Sequence, residues 1–409
     1  MGSSSSKKGP RPQPVRPADH GPLPQELVPY AGPQIQYRIV QMMVNFKSHV
    51  TFGFTQGVPQ TTTNVDDYYP TLGAQYGEGF TLISFYRIPG GAQQTGLFSM
   101  TVAIPFQGIF SCCPSVPTHE RWQLRIEKSA MYVHAMTSVR IFRGATTQSA
   151  ANTSHLIDMI SSCTATGGRL ICVEMTGMMS AQGMQMGLTS SSMQTGVGVD
   201  LFFNMPLHPN PTVYIYQCVN TPIPMTMTPG FGQVTVDIQF NFMGHLAVHL
   251  NQGYRLVEIF YDQSAMSQIH GGFMPTTGMS MNTIWFFEKE ADRVNDITPV
   301  YEGCIVEYYL KIQPGLGQVV ASANWAPLME NMGNKGWELA CTLETPKIVR
   351  SGMMTMKQTI LLFFQRKILT SNSASGMPPS HIGLVDPSTG APMATEYAPP
   401  PSYDEVAKQ

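Results

Sequence analysis

Polar and apolar residues alternate in several stretches of the chain. Val234, Val236, Ile238 and Phe240 alternate with Thr235, Asp237 and Gln239, the period-two pattern of a half-buried strand. Strand-like runs also occupy residues 36–46, 122–142 and 304–312, and 233–242 contains the run just described. After each comes a shorter segment with apolar residues three and four apart, at 68–76, 155–163, 243–250 and 325–332, which predicts four short helices. Asn324 and Ser154 stand where N-caps belong, and Pro327 fits only a first helical turn. Each helix ends before a glycine in a Gly-x-x-Leu pattern: Gly79 with Leu82, Gly167 with Leu170, Gly253 with Leu256, and Gly336 with Leu339. Glycine lets the chain leave a helix in a left-handed conformation and turn into a strand. Two strands follow, in the last case at 337–343 and 354–366.

Four hits at a period of 83 to 88 residues mark repeated structural units. The expected fold is therefore α+β: four repeated β-α-β-β units, each an antiparallel sheet covered by one helix. The boundaries read 34–120, 121–210, 211–295 and 296–370. How the units pack together is left open by the pattern. Residues 1–33 and 371–409 are rich in Ser, Pro and Gly without periodicity and are expected to be disordered. The Met-rich stretch 175–193 is interleaved with glycines and reads as a long mobile loop between two strands.

Composition narrows the function. Charged residues are only 12% of the chain, and the net charge is −2, which argues against nucleic-acid binding. The seven cysteines show no C-x-x-C pair, and no apolar segment follows the N-terminus as in a secretory signal. Both features fit a reducing cytosol. The run at 360–364 is far too short to cross a bilayer, so membrane residence needs a lipid or a surface contact.

Met1-Gly2-Ser3-Ser4-Ser5-Ser6 fits M-G-x-x-x-[ST], the pattern of N-myristoylation at Gly2. One myristoyl chain attaches a protein only reversibly, with K on the order of 10⁴ M⁻¹. Lys7, Lys8, Arg11 and Arg16 supply a second signal to an anionic leaflet, at roughly 1 kcal/mol for each residue that reaches it. Cys112 and Cys113 read either as palmitoylation sites or as a buried structural pair. At the other end, Pro400-Pro401-Ser402-Tyr403 is a PPxY motif, the ligand of WW domains, including those of HECT-type ubiquitin ligases. Tyr403 also begins Tyr403-Asp404-Glu405-Val406, a YxxΦ pattern that a clathrin adaptor reads through Tyr403 and Val406. Phosphorylation of Tyr403 would add negative charge beside two acids and switch between readers.

Catalytic constellations are not found. His245 and His249 share a helix face, but residue 246 is Leu, so HExxH is not met. Glu302 and Glu307 have an odd spacing on one strand and face opposite ways. No G-x-S-x-G elbow, phosphate loop, metal set or cofactor fingerprint is present.

Residues 253–261 (GYRLVEIFY), 301–307 (YEGCIVE), 327–331 (PLMEN), 336–346 (GWELACTLETP) and 357–360 (KQTI) carry a further signal. Through them the last third of the body resembles the raftlin family of acylated, raft-associated membrane proteins. It implies a non-enzymatic lipoprotein on the cytoplasmic face of the plasma membrane and endosomes, linked to membrane organisation and receptor uptake, without a cofactor. It also implies acylation at Gly2. Raftlins look dually acylated, with a cysteine directly after the glycine, whereas this chain has Ser3. The alternative is a soluble cytosolic adaptor, or an apolar-ligand-binding protein, without a lipid anchor.

Overall fold

A computed structural model describes residues 19–369, apart from 51–58, 89–90, 96–98, 116–121, 141–143, 187–189, 209–210, 231–232, 262–266, 270–276, 316–317 and 351–355; along parts of the strands it describes the backbone alone. Four antiparallel sheets follow one another along the chain. The first holds β1 (Gln36–Val50), β2 (Pro59–Thr63), helix α1 (Tyr69–Ala74), β3 (Thr81–Arg87) with its continuation β4 (Gly91–Thr95), and β5 (Ser99–Cys112). The second holds β6 (Trp122–Arg140), β7 (Gly144–Asn152), α2 (Ser154–Thr164), β8 (Arg169–Met186) and β9 (Ser190–Pro206). The third holds β10 (Tyr214–Gly230), β11 (Gln233–Ile238), α3 (Phe242–Leu250), β12 (Arg255–Tyr261) with β13 (Ser267–Ile269), and β14 (Thr277–Glu290). The fourth holds β15 (Tyr301–Gly315), β16 (Gln318–Ser322), α4 (Ala326–Asn334), β17 (Glu338–Arg350) and β18 (Met356–Lys367).

Every sheet has the same internal order. Its first strand pairs with both its hairpin partner and the last strand, and the last strand pairs with the strand after the helix. Gly79, Gly167, Gly253 and Gly336 have φ of 85°, 85°, 80° and 74° and turn the chain into β3, β8, β12 and β17. Four residues later each of these strands carries a bulge that leaves out Ile83, Ile171, Val257 or Ala340 from the ladder. One extra residue at the same place in four strands bends each in the same sense. These four bent strands meet at a common centre and form the inner edge of each sheet.

Outer edges join inner edges. β2 pairs with β8 at Thr61↔Met179, β7 with β13 at Gln268↔Thr147, and β16 with β4 at Gln318↔Ala92, all antiparallel; β11 lies against β17. The sheets therefore link head to tail into a ring of sixteen strand positions. Nearer the helices, four apolar cores fill the gaps between successive sheets. Phe85, Phe106 and Phe202 pack between the first and second, and Trp285, Phe287 and Phe363 between the third and fourth.

The α+β expectation is corrected. The structure is mostly β, with several antiparallel sheets and few, short helices, and it is not a set of β-α-β-β units. The missed strands β2, β7 and β16 read PQTTT, GATTQSAAN and QVVAS. They carry little apolar periodicity, and their ladder pairings on both sides place them in the sheets. The run at 233–242 is a second strand, and β10 before it was unread. Residues 175–186 lie within β8, and 190–193 begin β9, so the Met-rich stretch forms strands of a hairpin in place of a loop. Residues 19–33, expected to be disordered, pack against the fourth sheet. Asp19 pairs with Lys311 at 2.5 Å, Glu26 with Arg366 at 3.0 Å, and the Arg366 guanidinium lies 4.3 Å from both the Tyr30 and Trp337 rings. The cap of α4 is Trp325 and that of α2 is Thr153. In α3, Asn241 accepts from Gly244 N at 2.8 Å, a cap the pattern did not reveal.

Candidate functional site

Two cavities of about 80 Å³ lie on the central axis, one on each side of the collar of bulge residues. The first, on the helix side, has Arg169, Arg255 and Glu338 in its wall. Buried Glu288 accepts from Arg169 and from Tyr216 Oη (2.7 Å), and Arg255 Nε lies 3.1 Å away. Burial alone would raise the Glu288 pKa, but the two guanidinium groups outweigh it and hold the pKa below the usual range. Glu338 accepts from Ser111 Oγ at 3.2 Å and lies 3.9 Å from Arg255. Residues from all four sheets meet here with their charges partnered, which fits a structural lock.

The second cavity differs. Ser84–Arg87, Val173–Met175, Glu258–Tyr261 and residues 342–344 surround it, on the ring side of the collar. It gathers three carboxyl groups, Glu174, Glu258 and Glu344, and one cation, Arg87. Burial pushes Glu174 up to about 8, opposed by Arg87 and reinforced by Glu344 and Asp200. Burial likewise pushes Glu258 up to about 8, although Ile259 N donates to its Oε1 at 2.7 Å. Glu344 is raised by burial and accepts from Gln358 Nε2 at 2.7 Å. Among the described ion pairs Arg87 has none. Tyr86 Oη is buried and has no hydrogen-bond partner. The Arg87 charge nevertheless acts on Glu174 and Glu344, so among the described groups lining this cavity it is the Tyr86 hydroxyl that lacks a partner and sets it apart from the lock. Sequence reading did not single out these residues, because they sit on four strands far apart in the chain. The available signal was their common offset of five to eight residues from the four glycines.

The sequence profile of the raftlin family matches residues 145–380, more than half of the chain. This chain belongs to the raftlin family. It is 27% identical to raftlin of Gallus gallus over 170 residues, covering 41% of this chain and 25% of the relative. For raftlin of Homo sapiens the identity is 26% over 141 residues, covering 34% and 22%, and for Mus musculus 26% over 170 residues, covering 41% and 28%. The chain thus aligns with about a quarter of the length of these curated relatives. No solved structure matches it.

In this raftlin-family chain, Gly2, Lys7, Lys8, Arg11 and Arg16 lie outside the described residues, as do Pro400, Pro401, Tyr403 and Val406. Cys112 and Cys113 close β5, and neither is buried. The reading of a buried pair is therefore replaced by two half-exposed thiols, followed by exposed Pro114 and Ser115. No described helix is long and apolar enough to cross a membrane. No metal-holding cluster occurs among the described residues. His249 stacks on Phe287 at 3.9 Å, and burial lowers its pKa to about 4. Glu302 pairs with Arg366 at 2.6 Å, while Glu307 is exposed beside Tyr309.

Proposed function

We propose that this raftlin-family chain works at membrane rafts without catalysing a reaction, held at the cytoplasmic face by a myristoyl group on Gly2. The observation that supports the reading is the family match combined with the myristoylation pattern at residues 2–6. A single acyl chain anchors weakly, so Lys7, Lys8, Arg11 and Arg16 act as the second signal on anionic inner-leaflet lipids. The half-exposed Cys112 and Cys113 are the thiols open to a second acyl chain. The Pro400-Pro401-Ser402-Tyr403 motif recruits WW-domain proteins such as HECT-type ubiquitin ligases, and Tyr403 with Val406 engages a clathrin adaptor, which directs receptor trafficking and endocytosis at the plasma membrane and endosomes. Membrane tethering raises the effective concentration of these short motifs.

Flotation of the full-length protein against Gly2→Ala tests the anchor, with the N-terminal mass measured in the same samples. Wild type is expected to float and to carry a myristoyl mass, and Gly2→Ala to stay soluble. Wild type that neither floats nor carries the mass would remove the lipoprotein reading.

A further inference from the structure

In each sheet the first strand begins where the last one ends: Gln36 pairs with Cys112, Trp122 with Pro206, Tyr214 with Glu290 and Tyr301 with Lys367. Thr81, Arg169, Arg255 and Glu338, which open the four strands after the glycine turns, line one cavity, so these four ends lie together at one end of the molecule. The segments that join one sheet to the next gather there and pack on the turns. A Cβ on Gly167 would strike Pro211, one on Gly253 the Thr298 carbonyl oxygen, and one on Gly336 the Tyr30 ring. The leader before β1 thus covers the turn of the fourth sheet as the linkers at 207–213 and 291–300 cover those of the second and third. Among the described residues the five most exposed large hydrophobic side chains are Leu27, Val28, Ile297, Leu207 and Val294. All five stand on these three segments, and exposed Val213 joins them. Single exposed aliphatic residues are ordinary, but their concentration at one end is not.

These aliphatic tips are braced. Glu26 accepts from Arg366 Nη1 at 3.0 Å and from Trp337 Nε1 at 3.3 Å, and the Tyr30 hydroxyl donates to the Lys367 carbonyl at 3.0 Å. Leu27 and Val28 are held between these two anchors. Asp296 accepts from Arg293 Nη2 at 2.6 Å and from Thr298 N at 2.8 Å, which fixes the backbone on both sides of Ile297. We propose that this end of the body is a membrane-contact face, whose aliphatic tips enter the interface of a lipid bilayer. The proposal rests on the peripheral-membrane reading above and adds the surface of the body that meets the lipid. A protein partner needs one contiguous packed patch of about 800 Å². Here the tips stand on three separate segments, with polar Asp292 and Asn295 exposed among them. A bilayer interface is fluid and receives separate side chains. Cys112 and Cys113, the half-exposed thiols, lie at the same end. The chain in front also fits. Tyr309 N donates to Asp19 O at 2.9 Å, about 27 Å along β15 from Tyr301, and the chain from Gly2 to Asp19 reaches at most about 60 Å. An acyl chain on Gly2 and the tips can therefore enter one bilayer together.

Quenching of tryptophan by lipid tests the proposal. Full-length acylated protein is mixed with neutral phosphatidylcholine vesicles, either plain or brominated in the acyl chains, so that Lys7, Lys8, Arg11 and Arg16 add no attraction of their own. Leu27→Trp and Ile297→Trp place an indole at the tips, and Ile348→Trp places one at an exposed position toward the far end of β17. The two tip variants should lose emission on brominated vesicles beyond the loss seen in wild type, and Ile348→Trp should not. Leu27→Ser/Val28→Ser/Ile297→Ser should weaken partition into plain vesicles at least about ten-fold, since aliphatic side chains no longer leave water. Its urea midpoint should stay that of wild type, because all three positions are exposed. Vesicle-bound protein without quenching at the tips, or quenched at position 348 instead, overturns the proposal and leaves the Gly2 anchor standing. Unchanged partition of the triple variant together with loss of self-association would give this end to a second copy of the chain and also overturns it. Gly2→Ala protein that still binds vesicles with its tips quenched supports the contact face and removes the need for the anchor. Acylated protein that binds no vesicles overturns both.

Discussion

At the residue scale, Glu174 and Glu258 carry the sharpest prediction. Both hold their protons to about pH 8 in the folded state because burial penalises the carboxylate. In the unfolded chain they release them near pH 4.3. Between these limits the folded state binds more protons, so the contribution of these groups to stability is full below about pH 4.3 and falls as pH rises toward 8. Glu288 runs the other way, with a lowered folded pKa that favours the native state above its ordinary range. The total profile mixes both signs, so the difference between proteins is the clean quantity. Glu174→Gln/Glu258→Gln should match wild type in urea midpoint below about pH 4 and exceed it increasingly up to about pH 8. An advantage that does not grow with pH would mean that the two carboxyl groups are ionised in the native protein. None of this was legible in the linear chain. Glu174, Glu258 and Glu344 each sit in an ordinary strand run, and only the convergence of three strands makes them a cluster. The glycines were legible, because a helix stop followed by a strand leaves few residue types able to make the turn.

At the scale of elements, the four glycines make equivalent turns in unequal surroundings. An alanine in the left-handed region costs roughly 1–2 kcal/mol from its own backbone. At Gly79 a Cβ would meet nothing within 4 Å, so this strain is the whole cost. At Gly253 a Cβ would lie 2.9 Å from the Thr298 carbonyl oxygen, a backbone atom that cannot swing away. Gly253→Ala should therefore lower stability clearly more than Gly79→Ala, by about 1 kcal/mol or more beyond the shared strain, measured as urea midpoints of the two single variants. Equal losses would show that the 296–298 turn yields to the side chain. The same comparison shows why helix positions were easy to read and strand counts were not. A helix announces itself by a three-to-four residue apolar period and a glycine stop. β2, β7 and β16 read PQTTT, GATTQSAAN and QVVAS, without the alternation that marks a half-buried strand, so each hairpin of two strands reads as one. Long strands such as β8 and β9 outrun the apolar core, and their Met, Gly and Ser content reads as loop.

At the scale of the whole molecule, the ring depends on edge pairings such as Thr61↔Met179 and Gln318↔Ala92. No local pattern specifies which edge meets which, so closure was not legible, although the period of 83 to 88 residues already implied four related parts. The tail is a different matter. Residues Leu369–Gln409 form a second unit beside Met1–Ile368 in the division of the chain, and the sequence reading of that unit rests on a short motif. A chain ending at Ile368 loses none of the four apolar cores, all of which lie within residues 23–364. It should melt within about 2 °C of the full-length protein, since a change of 1 kcal/mol shifts Tm by only a few degrees in a body of this size. The same truncation should abolish capture by an isolated WW domain, as should Tyr403→Ala in the full chain, because the WW groove reads the polyproline segment together with that ring. Retained capture by the truncated chain would place the WW ligand in the body. A large fall in Tm would make the tail part of the fold. Retained stability with lost capture would separate a folded body from a recruiting tail on one polypeptide, as the proposed membrane-tethered role expects.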